Sequence, residues 1–400
     1  MTTHRPHSLR TLMLAVLAAG LVAACGPSAA VPAPSGAAAA PGSAAAPAVA
    51  RPATQPPAGA ASGAPSGAAS APAAAVQPLN PPVSVSVGLI GIFVDIGILI
   101  ARERGYFKDE GLDVSIEMFR NGAEQIPPLA SNQIQFGTMA LDPSLFNAVA
   151  RDIPLKIVSE KSRNSPTHGV GAVVARADLY DSGALNEVSK LKGKTFAVPS
   201  NGIPLRYAEL ALAKGGLTLD DVELTTIPFP DMPVALANKS IDAAWMNEPY
   251  LVLAEERGFA HRLASAADLY PRLITNVLVI SARLAQENPE AARRFVTAYL
   301  RGQRDYLRGF EMGQDDTLRQ QIVQIAVNET PVKDAALYDR MGFHAVEPNG
   351  YVDASVVAEV QDWFASKGFI PEPVDVERVI DRQYLEYAVG RLGALPDPYR

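Results

Sequence analysis

The feature that most constrains the fold of this chain is a long segment that cannot contribute to a hydrophobic core. Residues 26–80 consist almost entirely of alanine, proline, glycine and serine, contain no aromatic residue, and carry a single charge at Arg51. Such a composition buries too little apolar surface to offset the loss of chain entropy, and the scattered prolines remove the helix potential of the alanines. Folded structure is therefore expected only in the roughly 320 residues that follow, enough for one large domain or two lobes.

The first 25 residues have the pattern of a secretion signal. A basic start precedes an apolar run at Leu12–Ala24, which is too short to span a bilayer. The run leads into Leu-Val-Ala-Ala-Cys, which resembles the lipobox of bacterial lipoproteins, and Cys25 is the only cysteine in the chain. A lone cysteine cannot form an internal disulfide. We therefore expect residues 1–25 to be a lipoprotein signal peptide, Cys25 to be acylated, and residues 26–80 to be a disordered tether; a plain signal peptide with a chance cysteine is the alternative.

The charge and the motif content argue against several classes of function. The formal net charge is −7, from 35 Lys and Arg against 42 Asp and Glu, whereas nucleic-acid binding requires clustered Lys and Arg. The three histidines of the body, His168, His261 and His344, are too far apart in sequence for a metal-binding motif, and the chain has no GxSxG nucleophile motif. We therefore expect no nucleic-acid partner, no metal, no cofactor and no catalytic residue.

From Val83 onward, β-branched apolar segments alternate with helical ones. The predicted strands lie at 83–90, 112–118, 134–138, 155–159, 169–176, 195–199, 222–228, 243–246 and 273–281. This alternation is typical of βαβ units and predicts an α/β fold with two mostly parallel sheets that helices flank on both faces. Local signals include Asp142 as a helix N-cap and Asn132 at a left-handed position after a helix.

Five short segments, in this order and spacing, carry a resemblance to a known family. They are ARERGYFKDEGLDV at 101–114, LASNQIQFG at 129–137, IPLKIV at 153–158, LKGK at 191–194 and NEPY at 247–250. Together they resemble the solute-binding proteins of sulfonate, nitrate and thiamine-precursor importers, the NMT1/THI5-like group. The resemblance covers roughly residues 83–310.

The resemblance implies the type II periplasmic-binding fold, in which two crossovers join two lobes and a ligand is trapped in the cleft between them. On this chain the first lobe would comprise residues 83–175 and 275–400, and the second lobe residues 176–274. The family further implies a monomer that closes around its ligand by hinge motion and delivers it to the permease of an ABC importer. With the lipid anchor, this predicts an extracytoplasmic protein attached to a membrane through Cys25.

The candidate site can also be located without the family resemblance, because ligands of open α/β sheets lie beyond the carboxyl ends of the strands. The rule selects four loops, at 91–95, 138–144, 199–204 and 245–250. The third loop precedes a helix whose first N–H groups would suit an anionic or carbonyl group. The candidate ligand-binding residues in the four loops are Phe93, Asp95, Thr138, Ser144, Ser200, Asn201, Gly202, Trp245, Asn247, Glu248 and Tyr250.

Several of these residues have a structural alternative. Trp245 and Tyr250 would stack on a flat ligand, while Asn247 and Glu248 would hydrogen-bond to its edge. Glu248 is equally open to a structural role, because the Glu-Pro-Tyr triplet recurs in family members with different ligands. Phe93 is as suited to the core as to stacking.

The ligand is predicted only as a class. The first loop is more apolar than a small inorganic anion requires, which disfavours nitrate and bicarbonate. We predict an organic anion or a flat heteroaromatic molecule, such as a sulfonate, an aromatic carboxylate, a pyrimidine precursor or a flavin. Two other functions remain open: an enzyme of the same fold, and a ligand sensor for a membrane receptor. Thiamine-pyrimidine synthases share this fold but carry a cysteine-rich motif that the chain lacks, which favours binding over catalysis.

Overall fold

The computed structural model describes residues 77–330 and 332–399. The predicted signal peptide, Cys25 and residues 26–76 of the predicted tether lie outside them. Within the described ranges, no helix is both long enough and apolar enough to span a membrane.

The described chain forms two five-stranded sheets. In chain order the strands are β1 (Val83–Leu89), β2 (Leu112–Met118), β3 (Phe136–Ala140), β4 (Lys156–Arg163), β5 (Gly171–Arg176), β6 (Thr195–Val198), β7 (Glu223–Thr226), β8 (Ala243–Asn247), β9 (Ala260–Ser265) and β10 (Ile274–Ile280). The strand order is β2-β1-β3-β10-β4 in the first sheet and β7-β6-β8-β5-β9 in the second. In each sheet one strand, β10 or β5, runs antiparallel to its neighbours and the other four run parallel, which confirms the predicted fold class.

Helices cover the faces of both sheets and form most of the chain after β10. In chain order they are α1 (Ile96–Glu103), α2 (Tyr106–Asp109), α3 (Ile126–Ser131), α4 (Pro143–Ala150), α5 (Ala177–Asp181), α6 (Ile203–Lys214), α7 (Met232–Ala237), α8 (Tyr250–Glu256), α9 (Ala266–Leu269), α10 (Ala282–Glu287), α11 (Pro289–Tyr306), α12 (Asp316–Glu329), α13 (Ala354–Ser366), α14 (Val376–Val379) and α15 (Gln383–Leu392).

The two sheets are the centres of two lobes that two crossovers connect. The first crossover follows β4 and the second precedes β10. The backbone N–H of Asn164 in the first crossover donates to the carbonyl of Leu273 in the second at 3.0 Å. The expected boundary at 175/176 falls at the end of β5, but β5 pairs with β8 and β9, so by sheet membership the second lobe begins before Gly171. A strand sequence carries no mark of the sheet that it joins, which explains the offset.

Local signals in the sequence set several helix ends. α3 begins only at Ile126, with prolines in its first turn, and Asn132 follows it at φ 62°. Asp142 caps α4 by accepting a hydrogen bond from the backbone N–H of Ser144 at 2.9 Å. Asn288 caps α11 in the same way, accepting from the N–H of Ala291 at 3.1 Å.

Helix α13 bridges the two lobes. On the first lobe, Phe364 of α13 packs against Phe146 of α4, with ring centroids 6.0 Å apart. On the second lobe, the indole N–H of Trp363 donates to Glu209 of α6 at 2.6 Å, and Lys367 pairs with the same carboxylate. Apolar side chains of α4, α6 and α13 belong to one continuous buried cluster, so the lobes share a core on this side.

Candidate functional site

The carboxyl ends of the parallel strands in the two sheets face each other. We refer to residues 91–95, 138–144, 199–204 and 245–250 as the first, second, third and fourth loops. A Cβ atom added to Gly202 of the third loop would lie 3.4 Å from the Cβ of Asp142 in the second. Residues of the first loop share a small cavity of about 20 Å³ with Pro249 and Tyr250 of the fourth. The structure therefore brings the four loops together in two pairs, each pair spanning both lobes.

Asp95 fixes the backbone of the first loop through hydrogen bonds. Its Oδ2 accepts hydrogen bonds from the backbone N–H groups of Ile90 and Gly91, at 3.1 and 2.9 Å. Its Oδ1 accepts from the hydroxyl of Thr138 at 2.9 Å and pairs with the ammonium of Lys161. All three side chains are buried; burial lowers the pKa of Lys161, and the Asp95 carboxylate opposes that shift. Two predicted site residues, Asp95 and Thr138, thus determine the loop's position.

Phe93 lies in an aromatic cluster of the first lobe. It is 5% exposed, and its ring centroid lies 5.3 Å from that of Tyr338 and 5.5 Å from that of Phe310. Tyr306 and Phe343 complete the cluster at 6.0 and 6.3 Å. Of the two roles open to Phe93, this position fits the core, although the side chain also borders the small cavity.

The second and third loops present polar groups towards each other. Ser144 is half-buried, and its hydroxyl donates to Asp142 Oδ1 at 2.5 Å. Ser200 and Asn201 are exposed, and Gly202 behind them is buried. α6 begins at Ile203 without a side-chain cap. The Ser200 hydroxyl accepts a hydrogen bond from the backbone N–H of Gly202 at 3.4 Å, and both side chains are accessible to a ligand.

Trp245 of the fourth loop is part of the second lobe's core. It is 1% exposed, and Tyr207 stacks on it with ring centroids 3.9 Å apart and an interplanar angle of 7°. The stacking predicted for Trp245 thus occurs with a side chain of the protein. The hydroxyl of Tyr207 in turn accepts a hydrogen bond from Asn164 Nδ2 at 2.5 Å, which links this core to the first crossover.

The remaining candidates of the fourth loop differ in their surroundings. Glu248 is buried and accepts hydrogen bonds from the backbone N–H groups of Val252 and Gly342, each at 3.0 Å, and from Arg262 at 3.0 Å. Burial raises the pKa of Glu248, and these hydrogen bonds oppose the shift. Asn247 is half-buried, and its buried Oδ1 has no hydrogen-bond partner within the described chain. Tyr250 is half-buried and borders the small cavity.

The candidate residues therefore fall into two groups. Five are exposed or half-buried at the facing loops, namely Ser144, Ser200, Asn201, Asn247 and Tyr250. The others are buried and shape the loops, namely Phe93, Asp95, Thr138, Gly202, Trp245 and Glu248.

A second cavity of about 220 Å³ lies at the crossovers, outside the four loops. Its lining includes Glu160, Arg163, Ser165 and Tyr399, and it includes none of the candidate residues. Burial raises the pKa of Glu160 to about 8, although Arg163 opposes the shift. The cavity lies at the carboxyl end of β4, and its charged lining distinguishes it from the predicted site.

The comparison with family models shows to which protein family this chain belongs. The model described as "NMT1/THI5 like" matches residues 93–308, more than half of the chain. The chain belongs to the NMT1/THI5-like family. This confirms the resemblance that the five short segments carry.

Similar proteins of known name or structure extend the comparison. The riboflavin-binding protein RibY of Chloroflexus aurantiacus is 26% identical over 297 residues, covering 72% of this chain and 81% of RibY. The crystal structure of the periplasmic aliphatic sulphonate-binding protein SsuA from Escherichia coli is 18% identical, with a TM-score of 0.61 over 75% of this chain and 92% of SsuA. The desulfurization enzyme DSZB is 15% identical, with a TM-score of 0.57 over 78% of this chain and 99% of DSZB. The two structures share the fold with this NMT1/THI5-like chain.

The sequence analysis did not identify some residues of the site, because their partners are distant in the chain. Lys161 stands in the buried strand β4, where a charged residue signals a buried counter-ion, but its partner Asp95 lies 66 residues earlier. Thr330, Val332, Tyr338 and Met341 border the small cavity next to Tyr250. They follow the long helices of the first lobe, and no strand end in the sequence marks them.

Proposed function

We propose that this protein is an extracytoplasmic solute-binding protein that captures a small organic ligand between its lobes and delivers it to the permease of an ABC importer. One observation carries the proposal: two sheets joined by two crossovers bring the loops at their strand ends face to face, where α/β sheets hold ligands. Membership of the NMT1/THI5-like family supports it, as do the names of RibY and SsuA.

Ligand entry requires the lobes to move apart. The cavity between the first and fourth loops, about 20 Å³, has room for about one water molecule, whereas pockets for organic ligands measure roughly 300–1,000 Å³. The crossovers are suited to act as the hinge, since Asn164 ties them together through its backbone N–H and through its side chain, which donates to the carbonyl of Tyr270 at 2.9 Å.

The accessible residues of the four loops would contact the ligand directly. Tyr250 and Ile92 offer apolar surface to a flat ring, while Ser200 and Asn201 offer hydrogen bonds to its edge. The buried candidates would act through the loops that they hold, as Asp95 does for the first loop. A flavin, a pyrimidine precursor or another flat organic solute fits this division, and the name of RibY favours a flavin.

We infer that the body is anchored by acylation of Cys25. The tether between Cys25 and the body has a reach on the order of 100 Å when largely extended. It would join the body near Gln77, whose carbonyl accepts a hydrogen bond from Arg294 at 2.6 Å. Fractionation with palmitate labelling tests the anchor: Cys25→Ser should remove the label and release the protein from the membrane fraction, and a variant that stays labelled would contradict it.

Catalysis and sensing are the alternatives to transport. DSZB is an enzyme with this fold, so the fold alone does not decide between binding and catalysis. The single cysteine of the chain is Cys25, so the body offers no thiol for covalent catalysis. A sensor would use the same ligand chemistry and would differ only in its membrane partner.

The test is to identify the molecule that the protein carries. The full-length chain, purified in detergent, is denatured, and any released small molecule is identified by mass spectrometry. We expect one stoichiometric organic compound, which raises the melting temperature when it is added back and is recovered unchanged. A compound that the protein consumes would instead establish an enzyme, and a protein that no small organic compound stabilises would contradict the proposal.

A further inference from the structure

The segment that follows α15 connects the first lobe to the first crossover. We refer to residues 393–399 as the strap. At its beginning, the guanidinium of Arg304 in α11 donates to the carbonyl of Gly393 at 2.7 Å. Asn349 then binds the backbone of Leu395 twice, accepting from its N–H at 2.9 Å and donating to its carbonyl at 2.8 Å. The beginning of the strap is therefore fixed to the first lobe.

The other end of the strap binds at the first crossover. Asp397 accepts a hydrogen bond from the guanidinium of Arg163, the last residue of β4, at 2.7 Å. These two side chains are 5% and 13% exposed, so the pair is largely shielded from solvent. The hydroxyl of Tyr399 hydrogen-bonds to Nδ1 of His168 at 2.9 Å, and the two rings meet edge to face with their centroids 5.8 Å apart. The strap thus contacts the crossover through two separate side chains.

The part of the crossover that the strap contacts is a tight turn. The backbone N–H of Ser165 donates to the carbonyl of His168 at 2.9 Å, and the N–H of His168 donates to the Ser165 hydroxyl at 3.0 Å. The crossover carries the chain from the first sheet to the second, so a rotation of the lobes has to be absorbed by backbone changes in the two crossovers. A contact between Tyr399 and His168 resists such a change, because His168 lies between the two sheets in the chain.

The strap also borders the cavity of about 220 Å³ beside the crossovers. Asp397 and Tyr399 contribute to its lining, as do Pro271 and Arg272 of the second crossover. This space gives the crossovers room to move relative to the strap once its contacts with Arg163 and His168 are broken.

We propose that the strap holds the first crossover in the conformation of the closed lobes, so that release of the strap favours opening of the cleft. This inference rests on the proposed function, in which the lobes move apart to admit a ligand, and it adds a means of regulating that motion. A contact made only in the closed arrangement raises the population of closed lobes and thereby prolongs the retention of a bound ligand.

Hydrogen–deuterium exchange of the full-length chain, dialysed to remove bound small molecules, tests the strap. The first and fourth loops cover each other in the closed arrangement, so their exchange reports opening. Tyr399→Phe removes the hydroxyl that binds His168 and should speed exchange in both loops about threefold or more. A chain that ends at Gly393 loses the contacts to Arg163 as well and should speed it about tenfold or more. If the shortened chain does not fold, Tyr399→Phe carries the test.

The matched control is Tyr387→Phe. Tyr387 is half-buried like Tyr399, but its hydroxyl contacts Glu290 at 3.5 Å within the first lobe, so exchange in the four loops should stay unchanged. Faster exchange confined to the strap and the first crossover would overturn the inference, as would equal effects of Tyr399→Phe and Tyr387→Phe. Either result leaves the proposed function standing, because that function is tested separately by the molecule that the protein carries.

Discussion

At the residue scale, the buried pair of Asp95 and Lys161 is the strongest determinant of the first loop. Both side chains are 1% exposed, and neither has solvent to compensate for a lost partner. Removing one member of a buried pair leaves the other charge uncompensated, which costs about 3–5 kcal/mol. We therefore expect Asp95→Asn to lower the free energy of unfolding by about 3 kcal/mol or more in urea denaturation.

A double variant separates this pair from general damage to the core. Asp95→Asn combined with Lys161→Met removes both charges, so it should recover part of the stability lost in the single variant. Glu287→Gln, which breaks an exposed pair with Arg283, serves as the control and should cause no measurable change. Asp95→Asn with stability equal to wild type would show that the pair does not hold the loop.

The raised pKa of Glu160 predicts how the free energy of unfolding depends on pH. Its pKa is about 8 in the folded chain and lies near the ordinary value of 4.5 when unfolded. The folded chain therefore binds this proton more tightly, and the stability that it contributes is lost as the pH rises from about 5 to 8. Glu160→Gln should lessen that loss, by up to about 1.4 kcal/mol per pH unit. Urea denaturation at pH 5 and pH 8 measures it, and an equal loss in both proteins would contradict the assignment.

The sequence predicts the structural role of a residue well where the partner of that residue is near in the chain. Asp142 caps its helix as expected, because a cap binds N–H groups two or three residues away, and Asn288 caps α11 by the same local contact. The partners of Asp95, Trp245 and Glu248 come from distant segments. Their burial follows from tertiary packing, which a single sequence does not reveal.

At the scale of elements, α13 links the lobes through one carboxylate. Glu209 of α6 accepts the indole N–H of Trp363 and pairs with Lys367. We infer that opening of the cleft breaks these contacts. On this inference, Glu209→Ala removes from the closed arrangement at least one net hydrogen bond of about 1 to 1.5 kcal/mol. We expect about tenfold weaker ligand binding by calorimetry.

The control for this prediction lies within one lobe. Glu255 is similarly accessible and binds Arg262, which belongs to the same lobe, so Glu255→Ala should leave the affinity unchanged. Equal losses in the two variants would show that the contacts of α13 do not contribute to closure.

The prediction of elements failed where a strand has no strand-like sequence. β9, with the sequence AHRLAS, has no β-branched residue and forms the edge of the second sheet next to β5. The nine predicted strands all occur, with ends that shift by a few residues. The division of the strands between the two sheets, and their order within each sheet, became known only from the structure.

At the scale of the whole molecule, the account describes two lobes that close on a solute at the ends of their strands. The family and the fold follow from the order of short motifs along the chain, since these motifs mark the turns and strand ends that position the lobes. The ligand does not follow from them, because it depends on which side chains the two lobes bring together. The close approach of Gly202 in the third loop to Asp142 in the second is such a case.

Hydrogen–deuterium exchange with and without the copurified ligand tests the central claim most directly. We predict that the ligand slows exchange in both lobes at once, in the first and second loops of one and the third and fourth loops of the other. Protection confined to a single lobe, or to Ser165 and Tyr399 at the cavity beside the crossovers, would contradict a ligand held between the lobes.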